Sequence, residues 1–113
     1  MAIVDLTAVI TLNPGKLQRI VDEFNHIQKW VKANEPGVLQ YELTKGLPEK
    51  NSGADVVLIR EVYASEDAQQ AHFVAPITQR MIKTMEDEKF IKTINIVFTQ
   101  PKPDSGFLRT SRL

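Results

Sequence analysis

The chain opens on an alternating segment. Over residues 3–12 (IVDLTAVITL), Val4, Leu6, Ala8, Ile10 and Leu12 fall on one face and Ile3, Asp5, Thr7, Val9 and Thr11 on the other. A period of two predicts a strand, here one with both sides partly useful. Asn13-Pro14-Gly15 ends it. An N-capping Asn followed by a Pro pre-set for the first helical position predicts a helix start at that point. From Lys16 to Asn34 the apolar residues Leu17, Ile20, Val21, Phe24, Ile27 and Val31 recur with helical spacing, with Lys16, Arg19, Asp22, Lys29 and Lys32 on the solvated side. Glu35-Pro36-Gly37 closes this helix, because a residue before proline is driven toward extended backbone.

Alternation resumes at Val38–Thr44, with Leu39, Tyr41 and Leu43 on one side, and residues 46–53 (GLPEKNSG) are rich in turn formers. Residues 55–63 (DVVLIREVY) read as a β-branched strand, central and covered on both faces. Ser65-Glu66-Asp67 supplies a capping hydroxyl and acidic first-turn residues for a second helix, along which Ala68, Ala71, His72 and Ala75 share a face. Pro76 interrupts, and helical spacing continues through Ile77, Met81, Ile82 and Met85. A fourth strand follows at residues 90–99 (FIKTINIVFT). From Gln100 to Leu113 two prolines and a glycine predict an extended arm, to which Phe107, Leu108 and Leu113 give something apolar to dock with.

The order is βαββαβ, so the predicted class is α+β: a ferredoxin-like domain over residues 1–99, with a four-stranded antiparallel sheet, followed by an arm at 100–113. Helices would cover one face only. The other carries apolar residues that a monomer would leave wet, and a second copy laid sheet against sheet removes that cost. The expectation is a homodimer, a dimeric α+β barrel, enclosing an apolar chamber into which His72 projects.

Composition narrows the chemistry. The chain has 113 residues, room for one domain, with 14 basic and 14 acidic side chains. That balance gives no uniform positive field for nucleic acid or an anionic membrane. There is no cysteine, hence no disulfide framework, thiolate nucleophile or iron–sulfur site, and two histidines are too few for a His-rich metal centre. No apolar run spans a bilayer and no basic leader opens the chain, so a soluble cytoplasmic protein is expected, without metal or other cofactor.

The stretches NPGK at 13–16, EPGVLQYEL at 35–43 and EVYASEDAQQAHFVAP at 61–76 resemble the antibiotic biosynthesis monooxygenase family of the dimeric α+β barrel superfamily. The last is the most specific: a strand ending in an aromatic, a Ser-capped helix, an Ala-His pair, then Pro. The resemblance covers residues 3–99 and implies the fold above. It implies activity less narrowly, since members include cofactor-independent monooxygenases acting on aromatic polyketides, haem-degrading enzymes and quinol monooxygenases. The haem-degrading branch uses a strand Asn, a helix Trp and a downstream His. Matched without gaps, those positions hold Ala8, His72 and Ile77, so haem would lack an evident axial ligand.

His72 is the candidate catalytic residue. Imidazole titrates at roughly 6.5 when unperturbed, which suits proton transfer near neutrality. The plain alternative is a core histidine satisfied by a carbonyl or a strand side chain. His26 falls on the solvent side of its helix. Tyr63 and Arg60 are candidate orienting or stabilising groups, and Tyr41, Phe24, Phe73 and Trp30 candidate walls of an aromatic site; all fit simple core roles as well. Arg60 and Glu61 point to opposite sheet faces, and the sequence does not say which faces the helices. With no metal, flavin or thiol motif, oxygen chemistry would draw its electrons from an electron-rich phenol or anthrone deprotonated by His72. A non-oxidative tailoring role (cyclisation, dehydration or decarboxylation) and non-catalytic binding of small hydrophobic molecules remain alternatives.

Overall fold

The structure, a computed structural model, describes residues 2–109. Its elements are β1 (Val4–Leu12), α1 (Leu17–Asn34), β2 (Val38–Lys45), a 3₁₀ turn at Pro48–Lys50, β3 (Val56–Tyr63), α2 (Glu66–Val74), α3 (Pro76–Asp87) and β4 (Ile91–Thr99). The strands form one antiparallel sheet in the order β2-β3-β1-β4, which is the ferredoxin-like arrangement. The core lies where the alternation placed it. Ala8, Ile10, Leu12, Val57 and Ile59 on the sheet meet Ile20, Phe24, Ile27 and Val31 on α1 and Met81 on α3, all buried. Phe90, just before β4, is wholly buried and closes the end of this core.

Three local readings change. The first helix starts at Leu17 with Lys16 in the capping position, not at Asn13. Gly15 between them has φ +80°, a left-handed conformation that no helix admits. Asn13 instead donates its side-chain amide to the carbonyl of Lys89 at 2.7 Å, tying this turn to the entry of β4. Leu39 leaves the face it was expected to share with Tyr41. The β2–β3 register slips between Val38 and Gln40, and such a bulge turns one side chain outward. Finally, β4 is only half covered: Ile94, Ile96 and Phe98 lie on the helix side of the sheet yet are at least 49% exposed. The helices do not extend over that edge.

Among the described residues no helix covers the opposite face of the sheet. There Asp5, Thr7 and Val9 of β1 stand beside Leu58, Arg60 and Val62 of β3. Residues 100–109 carry neither helix nor strand, and Phe107 and Leu108 are exposed rather than docked within the chain; Leu113 lies outside the described residues. Among the described residues, no helix is long and apolar enough to cross a membrane.

Candidate functional site

A cavity of about 320 Å³ lies between the sheet and helices α2 and α3. Its sheet wall is Leu6, Ala8, Ile10 and Ile59, its helical wall Met81, Ile82 and Met85, and its rim the half-exposed Ile94, Ile96 and Phe98 of β4. It therefore sits on the helix side of a single chain, not between two facing sheets. The reason is the long β4 edge, which the helices leave open and which the sequence pattern alone did not distinguish from a covered strand.

Into this apolar space a few polar groups project: Tyr41, Glu61, Tyr63, Gln69, His72 and Thr78. His72 is held by the geometry of α2. The Ser65 hydroxyl accepts the amide N–H of Ala68 at 3.1 Å, fixing the helix start, and Pro76 forces Ala75 to extended backbone immediately after the helix. His72 in the last turn is thereby turned onto the sheet and is 5% exposed. Its alanine neighbours do not line the cavity. Ala68 packs against Gly37, where an added Cβ would come within 2.8 Å of the Ala68 Cβ, so the missing side chain lets α2 approach the end of α1.

That approach delivers the partner of His72. Glu35 Oε1 lies 2.6 Å from His72 Nδ1, with both side chains largely buried. A carboxylate only accepts, so Nδ1 carries the hydrogen and donates. With Nδ1 so engaged, Nε2 is the ring nitrogen left over, and the described residues supply it no hydrogen-bond partner. Glu35 is fixed in turn by its place before Pro36. Its backbone has left the helix (φ −123°, ψ 76°), its N–H bonds the Val31 carbonyl at 2.8 Å and its carbonyl receives the Val38 N–H at 3.0 Å. Reading Glu35 as a mere helix terminator missed its role; a carboxylate at a pre-proline helix end, facing the helix that carries the lone histidine, was the available signal.

Two tyrosines frame the imidazole. Tyr41 meets it edge-on at 5.1 Å between centroids, and Tyr63 lies at 5.6 Å. Phe24 stacks behind Tyr41 at 4.7 Å, supporting the wall without lining it. The Tyr63 hydroxyl donates to Glu61. Burial raises both tyrosine pKa values far above the ordinary phenol, chiefly by desolvation and secondarily through Glu61, so both stay protonated donors. Glu61 is likewise raised by desolvation, against the opposing pull of Tyr63 and His72.

Of the residues singled out from sequence, His72, Tyr63, Tyr41 and Phe73 thus line one cavity, with Phe24 behind it. Arg60 and Trp30 do not. Arg60 lies on the opposite sheet face, where its guanidinium donates to Asp5 Oδ1 at 2.8 Å and Thr7 Oγ1 at 2.9 Å. Glu61, its neighbour, takes the helix side, as strand alternation requires. Trp30 lies on the outward side of α1 and is 37% exposed. Of the three positions matched to the haem-degrading branch, Ala8 and His72 line the cavity and Ile77 packs against the core from α3. Among the described residues no three His, Cys, Asp or Glu side chains group as a metal site.

The ferredoxin-like sheet and its helices are shared with proteins of known structure. The family model for antibiotic biosynthesis monooxygenase matches residues 4–84, and the chain belongs to that family. Solved structures agree on the fold. A protein of the same family name from Bacteroides thetaiotaomicron superposes with a TM-score of 0.77 at 18% identity, over 95% of this chain and 96% of its own. One from Caulobacter crescentus, also bearing the family name, gives 0.76 at 26% identity, over 88% and 90%. A Mycobacterium tuberculosis protein gives 0.73 at 16%, over 93% and 100%. No curated protein matches the sequence.

Proposed function

We propose that the protein is a cofactor-independent monooxygenase acting on a small aromatic, polyketide-type phenol or anthrone, with His72 as the base. The observation that carries this reading is His72 on the wall of a largely apolar cavity, with Glu35 bonded to it from behind. Glu35 fixes the tautomer, Nε2 takes the substrate proton, and the electron-rich anion reduces O₂ directly. For an anthrone the ring methylene becomes a carbonyl with one oxygen of O₂, and the other leaves as water with the two methylene hydrogens. The chain supplies orientation, exclusion of water and a base, which is what such chemistry asks of a protein. The family match supports the class of reaction, and the volume, near the lower end for ligand sites, favours a small substrate.

Oxygen uptake with anthrone, corrected for spontaneous oxidation, tests the reading. His72→Gln should lower turnover about 10²-fold or more, the scale of a general base. Glutamine keeps an N–H for Glu35, so the fold is spared an unpaired buried carboxylate. Product formed equally fast without oxygen would instead point to non-oxidative tailoring, and binding without product to sequestration.

The same reading holds the working unit to be a homodimer formed through the uncovered sheet face, with residues 100–113 as an arm outside the domain. The apolar Val9, Leu58 and Val62 on that face support it.

A further inference from the structure

The base accounts for one polar feature of the cavity and leaves Glu61, Tyr63 and Thr78 without a task. We propose, building on the reading above, that the Glu61–Tyr63 pair is a hydrogen-bond donor for the carbonyl oxygen of an uncharged, enolisable ketone or its phenol tautomer, and so sets the charge class of the substrate.

Glu61 sits on β3 facing a wall of aliphatic side chains, with Leu6 opposite it on β1, and accepts from the Tyr63 hydroxyl. If Glu61 is ionised, the single Tyr63 proton is consumed inside the pair and nothing is left for a ligand. If it is protonated, the pair holds two protons and their mutual bond uses one; the other is free for an acceptor in the cavity. Desolvation favours the protonated form. The titratable groups around Glu61 are Tyr63 on its own strand, Tyr41 on β2, His72 on α2 and Glu35 at the end of α1; α3 contributes none. None is a fixed cation.

That arrangement disfavours an anionic ligand. Among the described residues no lysine or arginine lines the cavity, and Arg60, the one guanidinium on this strand, is committed to Asp5 on the far face. A carboxylate entering beside the Glu35–His72 pair would be buried without a countercharge, which is costly. A neutral carbonyl meets the spare donor instead, and negative charge reaches its oxygen only as His72 removes the proton. Thr78 adds an independent sign of a polar ligand: its hydroxyl, on the helical wall, is buried and has no hydrogen-bond partner among the described residues.

The test is anaerobic calorimetric binding of 1-tetralone, of tetralin, which lacks the carbonyl, and of 1-naphthoate, which carries a charge. The full-length wild type should bind 1-tetralone about tenfold or more tighter than tetralin, a gap of about 1.4 kcal/mol, and 1-naphthoate more weakly than 1-tetralone. Glu61→Gln, a permanently neutral side chain with its own donor, should retain the carbonyl preference, and Glu61→Leu should lose it. Raising the pH should erode the preference in the wild type as Glu61 ionises and leave Glu61→Gln unchanged, which keeps the test decisive should Glu61→Leu not fold. Equal binding of 1-tetralone and tetralin, naphthoate binding as tight as the ketone, or identical pH profiles for wild type and Glu61→Gln would overturn the proposal. The readout needs no turnover: carbonyl preference without oxygen uptake defeats the monooxygenase reading alone, and oxygen uptake without the preference defeats this one alone.

Discussion

The proposed mechanism needs His72 in the tautomer that leaves Nε2 bare, and the 2.6 Å contact to Glu35 favours that tautomer. Glu35→Gln removes the selection, since an amide can donate to Nδ1 as readily as accept from it. Turnover should fall steeply, toward the roughly 10⁴-fold loss known when an imidazole is left in the wrong tautomer. Nitrogen-15 shifts of the ring should show the Nε2-protonated form appearing, a change that loss of packing alone would not produce. Glu61 makes a different kind of demand. Its pKa is raised by burial above the value it has in the unfolded chain, so the folded state holds its proton more tightly. Stability is then lost as pH rises from the unfolded value through the folded one, and the loss is complete above the folded value. Glu61→Gln should therefore raise the thermal midpoint relative to wild type at alkaline pH, and the advantage should vanish at acidic pH, as scanning calorimetry across pH will record. An advantage that is the same at every pH would contradict the burial argument.

At the scale of elements, the site depends on how closely α2 approaches the end of α1. Gly37 permits that approach, and Gly37→Ala would drive a methyl into Ala68. We expect a loss of about 1–3 kcal/mol, typical of overpacking, read as a lowered denaturation midpoint. Adding Ala68→Gly should restore much of it by removing the opposing Cβ. Strand and helix order was legible because each element carries its own period and its own stops: Ser65 does cap α2, and Pro76 does divide α2 from α3. Less legible was anything set by two elements together. Asn13 resembles a cap in sequence, yet the left-handed Gly15 commits it to Lys89, 76 residues away. The slip in β2 that expels Leu39 is a register event, invisible to alternation. His72 could be picked out as the lone inward imidazole, whereas Glu35 became a partner only through a contact across 37 residues. Arg60 and Glu61 were known to diverge, and only the packed helices decide which faces the cavity.

The whole molecule leaves two surfaces open, the uncovered sheet face, where Val9, Leu58 and Val62 stand around the Arg60–Asp5 pair, and the apolar rim of β4. Soluble monomers seldom leave such area wet, and sedimentation equilibrium should give twice the chain mass. Leu58→Lys, on the uncovered face, should shift the protein toward monomer. Truncation after Thr99 should do so only if the arm reaches the second copy. A monomer at micromolar concentration in the wild type would refute assembly through this face. In the cavity, the proposed mechanism has a carboxylate-oriented imidazole prime a small uncharged aromatic for reaction with oxygen. Oxygen uptake by wild type and by Glu35→Gln and His72→Gln, with anthrone as substrate, tests it most directly. Stoichiometric consumption of O₂ with formation of anthraquinone, reduced about 10²-fold or more in both folded variants, is the expected result. Uptake no faster than the spontaneous reaction, or unaltered by either substitution, would contradict it.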